Sequence, residues 1–253
     1  MSDAKIAIIG GTGLEDPKFF KKIKDVKIKT PYGFPSAPIE IGDFSVPEGK
    51  HPASYGASRK IAFLARHGKR NEIPPHRVNY QANIFALKKL GVKYIFAFNS
   101  VGSLKKRIQP GSFLVPSDYI DFNPPTFFDK NSKFITPKIS ENLRKVFIKI
   151  LKKLKLKFWP KGVYFNSKGP RLETKAEINL IKNYADVVGM TMAKEATLAQ
   201  ELGIEYTALC SVDNYAQGIG SKVLDLNRIE EGQKKNSKII EKIMLEILKS
   251  HIS

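Results

Sequence analysis

The sequence predicts an α/β fold in one domain, residues 1–253, built as a mixed, mostly parallel sheet flanked by helices. Short apolar runs rich in β-branched and aromatic residues alternate with longer stretches whose apolar residues recur at spacings of three and four, the pattern of strands interleaved with covering helices. Glycines punctuate the ends of these runs. A chain of 253 residues with 42% apolar content can build a substantial core, and no internal repeat, low-complexity tract or linker divides it.

The elements follow in chain order. Lys5–Ile9, apolar from Ile6 onward and stopped by Gly10-Gly11, reads as a strand. The Pro-rich stretch Pro31–Pro52 reads as a loop. A strand at Ile61–Ala65 ends at the charged pair Arg66-His67, and a helix at Val78–Leu90 closes on Gly91, placed like a C′ glycine. Strands at Lys93–Phe98 and Ser112–Val115 precede a second Pro-rich loop, Pro116–Pro125. A helix at Ser140–Leu156 carries scattered lysines, and a strand at Gly162–Phe165 leads to a helix at Lys175–Tyr184. The strand Val187–Met190, the helix Ala193–Leu202 with Gly203 behind it, the strand Glu205–Ser211 and the helix Asn227–Ser250 complete the set.

Composition narrows the function. The net charge of +19 raises the possibility of a polyanionic partner, but only eight of the 43 basic residues are Arg. The lysines are scattered along helices instead of forming a stripe with interleaved aromatics, so a solvated surface is expected and nucleic acid is not. No run of about 18 apolar residues is present to span a bilayer, and MSDAKIAIIGG lacks the features of a secretory leader; a cytoplasmic, non-membrane protein is expected. Cys210 is the only cysteine, which excludes an internal disulfide and a multi-cysteine zinc site and fits a small buried thiol. No metal site is expected.

In parallel α/β sheets ligands gather at the carboxyl ends of strands, so the polar residues after each run come first. Gly10-Gly11-Thr12-Gly13-Leu14-Glu15-Asp16-Pro17 is a glycine turn that frees backbone N–H groups for an anion and adds the Thr12 hydroxyl, although a tight strand-to-helix turn would look the same. It lacks a dinucleotide fingerprint, and no GxxxxGK[ST] occurs in the chain. Arg66-His67-Gly68 places a guanidinium able to grip phosphate oxygens at the next strand end. Asn99-Ser100-Val101-Gly102-Ser103 reads as a further small polar turn with backbone and hydroxyl donors.

These and longer motifs resemble the trimeric nucleoside phosphorylase family that holds methylthioadenosine phosphorylases and 6-oxopurine nucleoside phosphorylases. The resemblance covers nearly the whole chain. It is carried by IAIIGGTGLEDP (Ile6–Pro17), FLARHG (Phe63–Gly68), VNYQANIFALKKLG (Val78–Gly91), VGSLKKRIQPG (Val101–Gly111), GPRLETKAE (Gly169–Glu177), GMTMAKEATLAQELGI (Gly189–Ile204) and SVDNYA (Ser211–Ala216). The resemblance implies a nucleoside phosphorylase-like fold, a homotrimer, purine nucleoside and inorganic phosphate as co-substrates, and no cofactor. It implies that Thr12, Arg66, His67, Asn99, Ser100 and Thr191 hold phosphate, with Met190 under the ribose; an ordinary core-packing role for Met190 is the alternative. It further implies that Leu172, Glu173, Asn214, Tyr215 and Ala216 face the nucleoside. Because phosphate is itself the nucleophile, neither a carboxylate pair nor a Ser-His-Asp triad is needed.

Two departures select the substrate branch. Where methylthioadenosine phosphorylases are expected to carry Asp-Tyr-Asp, this chain has Asn214-Tyr215-Ala216, and where they carry a small hydroxyl residue it has Glu173. A 6-oxopurine presents N1–H as donor and O6 and N7 as acceptors, which complements a carboxylate and an amide, so Glu173 and Asn214 are the expected catalytic pair. Adenine would oppose a bare N1 to the carboxylate. Asp213 is the other candidate base contact, but strand alternation turns it away. Leu172 stands where phosphorylases often have Phe, which removes an aromatic stack. His76 suits either the 5′ side of ribose or an ordinary surface loop, and Phe127, Phe128 and Trp159 suit packing or an interface. The residues around Val223–Leu226 are expected to decide between a 5′-hydroxyl and a 5′-methylthio group. The readings are therefore phosphorolysis of inosine and guanosine in purine salvage, then methylthioadenosine or methylthioinosine phosphorolysis, and more remotely a basic nucleic-acid-binding protein on an inactive scaffold.

Overall fold

A computed structural model describes residues 4–15, 20–44, 59–129, 133–220 and 226–250. Its eleven strands join one mixed sheet, covered by five helices. The strands are β1 (Ile6–Gly10), β2 (Lys21–Val26), β3 (Ile39–Phe44), β4 (Arg59–Ala65), β5 (Tyr94–Ser103), β6 (Phe113–Leu114), β7 (Asp118–Ile120), β8 (Phe158–Trp159), β9 (Val163–Asn166), β10 (Val187–Gly189) and β11 (Glu205–Tyr215). The helices are α1 (Tyr80–Lys89), α2 (Glu141–Lys153), α3 (Lys175–Ile181), α4 (Met192–Glu201) and α5 (Leu226–Lys249).

The main path runs β2-β3-β4-β1-β5-β10-β9-β7, with β11 on β5 and β6 joining β11 to β8. Six of the ten pairings are parallel. The strand β5 organises the site. Its first half, Tyr94–Ala97, pairs with β1, whereas Gly102 and Ser103 pair antiparallel with β10, and β11 follows β5 along its whole length. Between Ala97 and Gly102 that edge of β5 has no strand beside it, and the sheet forks there.

Alternation along the strands feeds two apolar layers. Ala7 and Ile9 of β1 pack toward α1 and α4 with Ile84, Leu87, Ala196 and Ala199, while Ile6 and Ile8 pack toward α2 and α5 with Leu143, Phe147, Ile243 and Ile247. Phe147 sets its ring edge-on to Phe96 and Phe98, with centroids 5.3 and 5.7 Å away. Local signals start the helices: Ser140 caps α2 by accepting from the Leu143 N–H, and Thr174 and Glu177 form a reciprocal capping box on α3. Gly91 (φ 87°) and Gly203 (φ 66°) close α1 and α4 as C′ glycines.

Three expectations are corrected. The stretch Pro31–Pro52 is not all loop, because β3 lies in it with Ile39 and Ile41 buried; residues 45–52 lie outside the described residues. The stretch Pro116–Pro125 likewise contains β7. The polar segment Asn99–Ser103 is not a turn after a strand, and the strand expected at Glu205–Ser211 runs on through Asn214-Tyr215, since β5 and β11 keep pairing past Phe98 and Ser211. The edge strand β2, Lys21–Val26, is exposed over most of its length and lysine-rich, so it carries no apolar alternation to read, and lysines of this kind discourage edge-to-edge pairing. Among the described residues no helix is long and apolar enough to cross a membrane.

Candidate active site

A cavity of about 190 Å³ opens at the fork of the sheet. Gly11, Thr12, Arg66, His67, Ser100, Leu172, Glu173, Met190, Thr191, Asn214 and Ala216 line it, together with Pro75, Val101, Gly102, Val188, Gly189, Gln217 and Gln233. Two of the sequence-predicted site residues stand apart from it. Asn99 lies behind the lining, and Tyr215 turns away to donate its hydroxyl to the Lys106 carbonyl at 3.0 Å. Asp16 and Pro17 of the glycine turn, and Val223–Asp225, lie outside the described residues, and only the backbone of Leu226 is described.

Arg66 is held by backbone and side chain at once. Its N–H donates to the Gly10 carbonyl at 3.0 Å, which locks the end of β4 against β1. Its guanidinium is 1% exposed and donates from Nε to Glu195 Oε1 at 2.6 Å, from Nη2 to Glu195 Oε2 at 2.9 Å, and from Nη1 to the Phe98 carbonyl at 2.9 Å. Burial alone would lower the group's affinity for its proton, but the Glu195 carboxylate overrides this and the pKa ends above its ordinary value. Of five guanidinium N–H bonds three are used, so one remains on each Nη. Gly11 has to be glycine beside this group: a Cβ there would lie 2.7 Å from the Phe98 carbonyl oxygen and 2.8 Å from Arg66 Nη1.

His67 is nearly buried and its Nδ1 bonds the Ile73 carbonyl at 2.8 Å. A carbonyl only accepts, so Nδ1 carries the hydrogen. Burial, helped by the Arg66 charge, lowers the imidazole pKa to about 4, so at neutral pH the ring is uncharged and Nε2 keeps its lone pair.

Thr191 is the N-cap of α4 yet makes no side-chain cap bond. The Tyr164 hydroxyl instead accepts from the Thr191 and Met192 N–H groups at 3.2 and 3.4 Å. The Thr191 hydroxyl oxygen accepts from Asn99 Nδ2 at 2.8 Å, which leaves its hydrogen to donate into the cavity. Asn99 Oδ1 is buried without a partner among the described residues. Ser100 donates its hydroxyl to Asp213 and accepts from Gln233 Nε2 at 3.1 Å, so toward the cavity it offers backbone, not a hydroxyl hydrogen. Asp213 also accepts from Asn236 Nδ2 at 2.7 Å and Ser211 Oγ at 3.3 Å. Burial raises its pKa above the ordinary carboxylate range despite those bonds. It sits at the irregularity between Val212 and Asn214 and faces away from the cavity lining.

On the other part of the lining Asn214 donates one N–H to the Tyr215 carbonyl at 2.8 Å and keeps a second N–H and its Oδ1. Gly102 makes room for it, since a Cβ there would lie 3.3 Å from Asn214 Nδ2. Glu173 is half-buried and has no hydrogen-bond partner among the described residues. Leu172 is 39% exposed at the rim. Met190 folds against Gly169, where a Cβ would come within 2.6 Å of its sulfur. His76 lines a neighbouring cavity of about 540 Å³ that shares Glu173.

Sequence reasoning missed Glu195 and Gln233. Glu195 carried a readable signal: Met192, Glu195, Ala196 and Ala199 fall at spacings 0, 3, 4 and 7 on the buried face of α4, and a carboxylate there requires a buried cationic partner.

The family model described as "Phosphorylase superfamily" matches residues 5–249. The chain belongs to the phosphorylase superfamily. One superfamily relative, named "Probable 6-oxopurine nucleoside phosphorylase" in Archaeoglobus fulgidus, is 42% identical over 246 residues, covering 96% of both chains. Another, named "Probable S-methyl-5'-thioinosine phosphorylase" in Methanocaldococcus jannaschii, is 41% identical and covers 93% of this chain and 90% of its own. Among solved structures the chain is similar to a methylthioadenosine phosphorylase from Schistosoma mansoni in complex with adenine, with a TM-score of 0.82, 27% identity, and coverage of 97% and 91%.

Proposed function

We propose that this chain is a nucleoside phosphorylase that cleaves 6-oxopurine nucleosides, inosine and guanosine, with inorganic phosphate to free base and ribose 1-phosphate. The observation that carries this reading is that Glu173 and Asn214 line the same cavity as Arg66, His67 and Thr191. The second group supplies donors for an anion: the two spare guanidinium N–H bonds and the Thr191 hydroxyl. The first group complements a 6-oxopurine, with the Glu173 carboxylate accepting from N1–H and the spare Asn214 N–H donating to O6 or N7 as negative charge grows on the leaving base. Phosphorolysis passes through a ribosyl cation-like state, so an anion held near C1′ and a donor at the base stabilise both ends of the breaking bond. Met190 lines the same cavity, as a contact for the sugar suits.

A second reading is phosphorolysis of S-methyl-5′-thioinosine, favoured by the name of the 41% identical relative. It keeps the same base chemistry and differs only at the 5′ substituent. The test of the main reading is base release with and without inorganic phosphate. Turnover that requires phosphate and yields ribose 1-phosphate supports it; equal turnover in phosphate-free buffer with free ribose as product contradicts it.

A further inference from the structure

Among the described residues Arg66 is the only Lys or Arg lining the cavity, in a chain of net charge +19. Its charge is opposed by a carboxylate that never meets solvent, since Glu195 is 0% exposed. The pairing is two-pronged, at 2.6 and 2.9 Å, along the side of the guanidinium formed by Nε and Nη2. A third bond, from the Tyr206 hydroxyl to Glu195 Oε2 at 2.9 Å, anchors the carboxylate from β11. Glu195 therefore has both oxygens committed, one of them twice, and fixes the guanidinium in plane and rotation.

Resting on the phosphorylase reading, we infer that Glu195 is the positioning residue of the phosphate site, fixing Arg66 so that its two remaining N–H bonds are held for the incoming anion. The pair carries no net charge, so phosphate is captured by directed donors and not by an excess of positive potential. That distinction has opposite signs in experiment. Glu195→Gln leaves the guanidinium's charge uncompensated, which would tighten anion binding if net charge governed capture. It also replaces one accepting oxygen with an NH₂ that faces the guanidinium's own donors, which loosens Arg66 and weakens binding if orientation governs. Glu195→Asp keeps the charge but shortens the arm by one methylene, so the two-pronged bond is lost while neutrality is retained. Tyr206→Phe removes only the anchoring hydroxyl.

The test is calorimetric titration of inorganic phosphate into wild type and the three variants, with thermal melts and the nucleoside KM measured alongside. Phosphate binding is expected to weaken about tenfold or more in Glu195→Gln and Glu195→Asp and about threefold in Tyr206→Phe, with the nucleoside KM little changed. A folded Glu195→Gln that binds phosphate as well as or better than wild type overturns the inference. Should Glu195→Gln fail to fold, unchanged phosphate binding in both other variants overturns it as well. Wild type that binds phosphate but releases base from no nucleoside refutes the phosphorylase reading, and the variants' binding still decides the role of Glu195. Wild type that binds no phosphate refutes both.

Discussion

The hydroxyl of Tyr164 on β9 accepts the N–H of Thr191 at 3.2 Å, and so caps α4 from outside the helix. Thr191 makes no cap bond with its own side chain, and its hydroxyl, accepting from Asn99 Nδ2, keeps its hydrogen for the cavity. Tyr164→Phe is expected to lower stability by about 1 kcal/mol and raise the phosphate KM several-fold, because the Thr191 and Met192 N–H groups lose their acceptor and the start of α4 that carries the Thr191 hydroxyl is held less firmly. Thermal melts and phosphate-dependent kinetics check this. A variant with wild-type phosphate KM shows that the capping bond does not matter to the anion site.

Arg66→Ala should raise the phosphate KM and lower kcat together, since the same donors face the nucleophile before and during bond cleavage. It also strands Glu195 as a buried, unpaired carboxylate, so a loss of about 3–5 kcal/mol in stability is expected. The double variant Arg66→Met with Glu195→Leu should recover much of that stability and none of the phosphate affinity. Recovery of both would place the anion elsewhere.

Gly11→Ala should mimic a milder loss of Arg66, because the added Cβ meets the Phe98 carbonyl and Arg66 Nη1 at 2.7 and 2.8 Å. One of the two must move. Measured phosphate KM in this variant is expected to exceed wild type while the nucleoside KM holds.

The folded protein keeps the His67 pKa near 4, against an ordinary value of 6.5. Between those values the unfolded chain binds a proton at this position that the folded chain refuses, so stability falls as pH drops from about 6.5 toward about 4. Above that window the contribution is constant. His67→Asn, which can still donate to the Ile73 carbonyl, should flatten that part of the stability profile in melts recorded across this range. An unchanged slope would mean that His67 is already charged in the fold.

Much of this arrangement was legible in the sequence, for physical reasons that also mark where reading stopped. Strands buried on both faces, such as Ile6–Gly10, announce themselves as continuous apolar runs, and helices closed by Gly91 or Gly203 carry their own stop signals. Asn99 looked like a turn residue, and Asn214 fell beyond the strand read to Ser211, because polarity after an apolar run usually ends a strand. Here the two long strands β5 and β11 continue because they pair with each other, a long-range fact that no local window contains. The strand β2 has no apolar rhythm because it is an exposed edge. Glu195 was written plainly on the buried face of α4, but its meaning depends on Arg66, 129 residues away in the chain.

The central claim is that Glu173 and Asn214 read a 6-oxopurine. Two mismatched hydrogen bonds, each worth about ten- to a hundredfold, should multiply against a 6-amino base. The direct measurement is kcat/KM for inosine, guanosine, S-methyl-5′-thioinosine, adenosine and methylthioadenosine under saturating phosphate, in wild type and in Asn214→Asp. Wild type is expected to prefer the 6-oxopurine nucleosides by orders of magnitude, and Asn214→Asp to shift the ratio toward 6-amino purines. Equal cleavage of methylthioadenosine and inosine by wild type, or a ratio unmoved by Asn214→Asp, would contradict it.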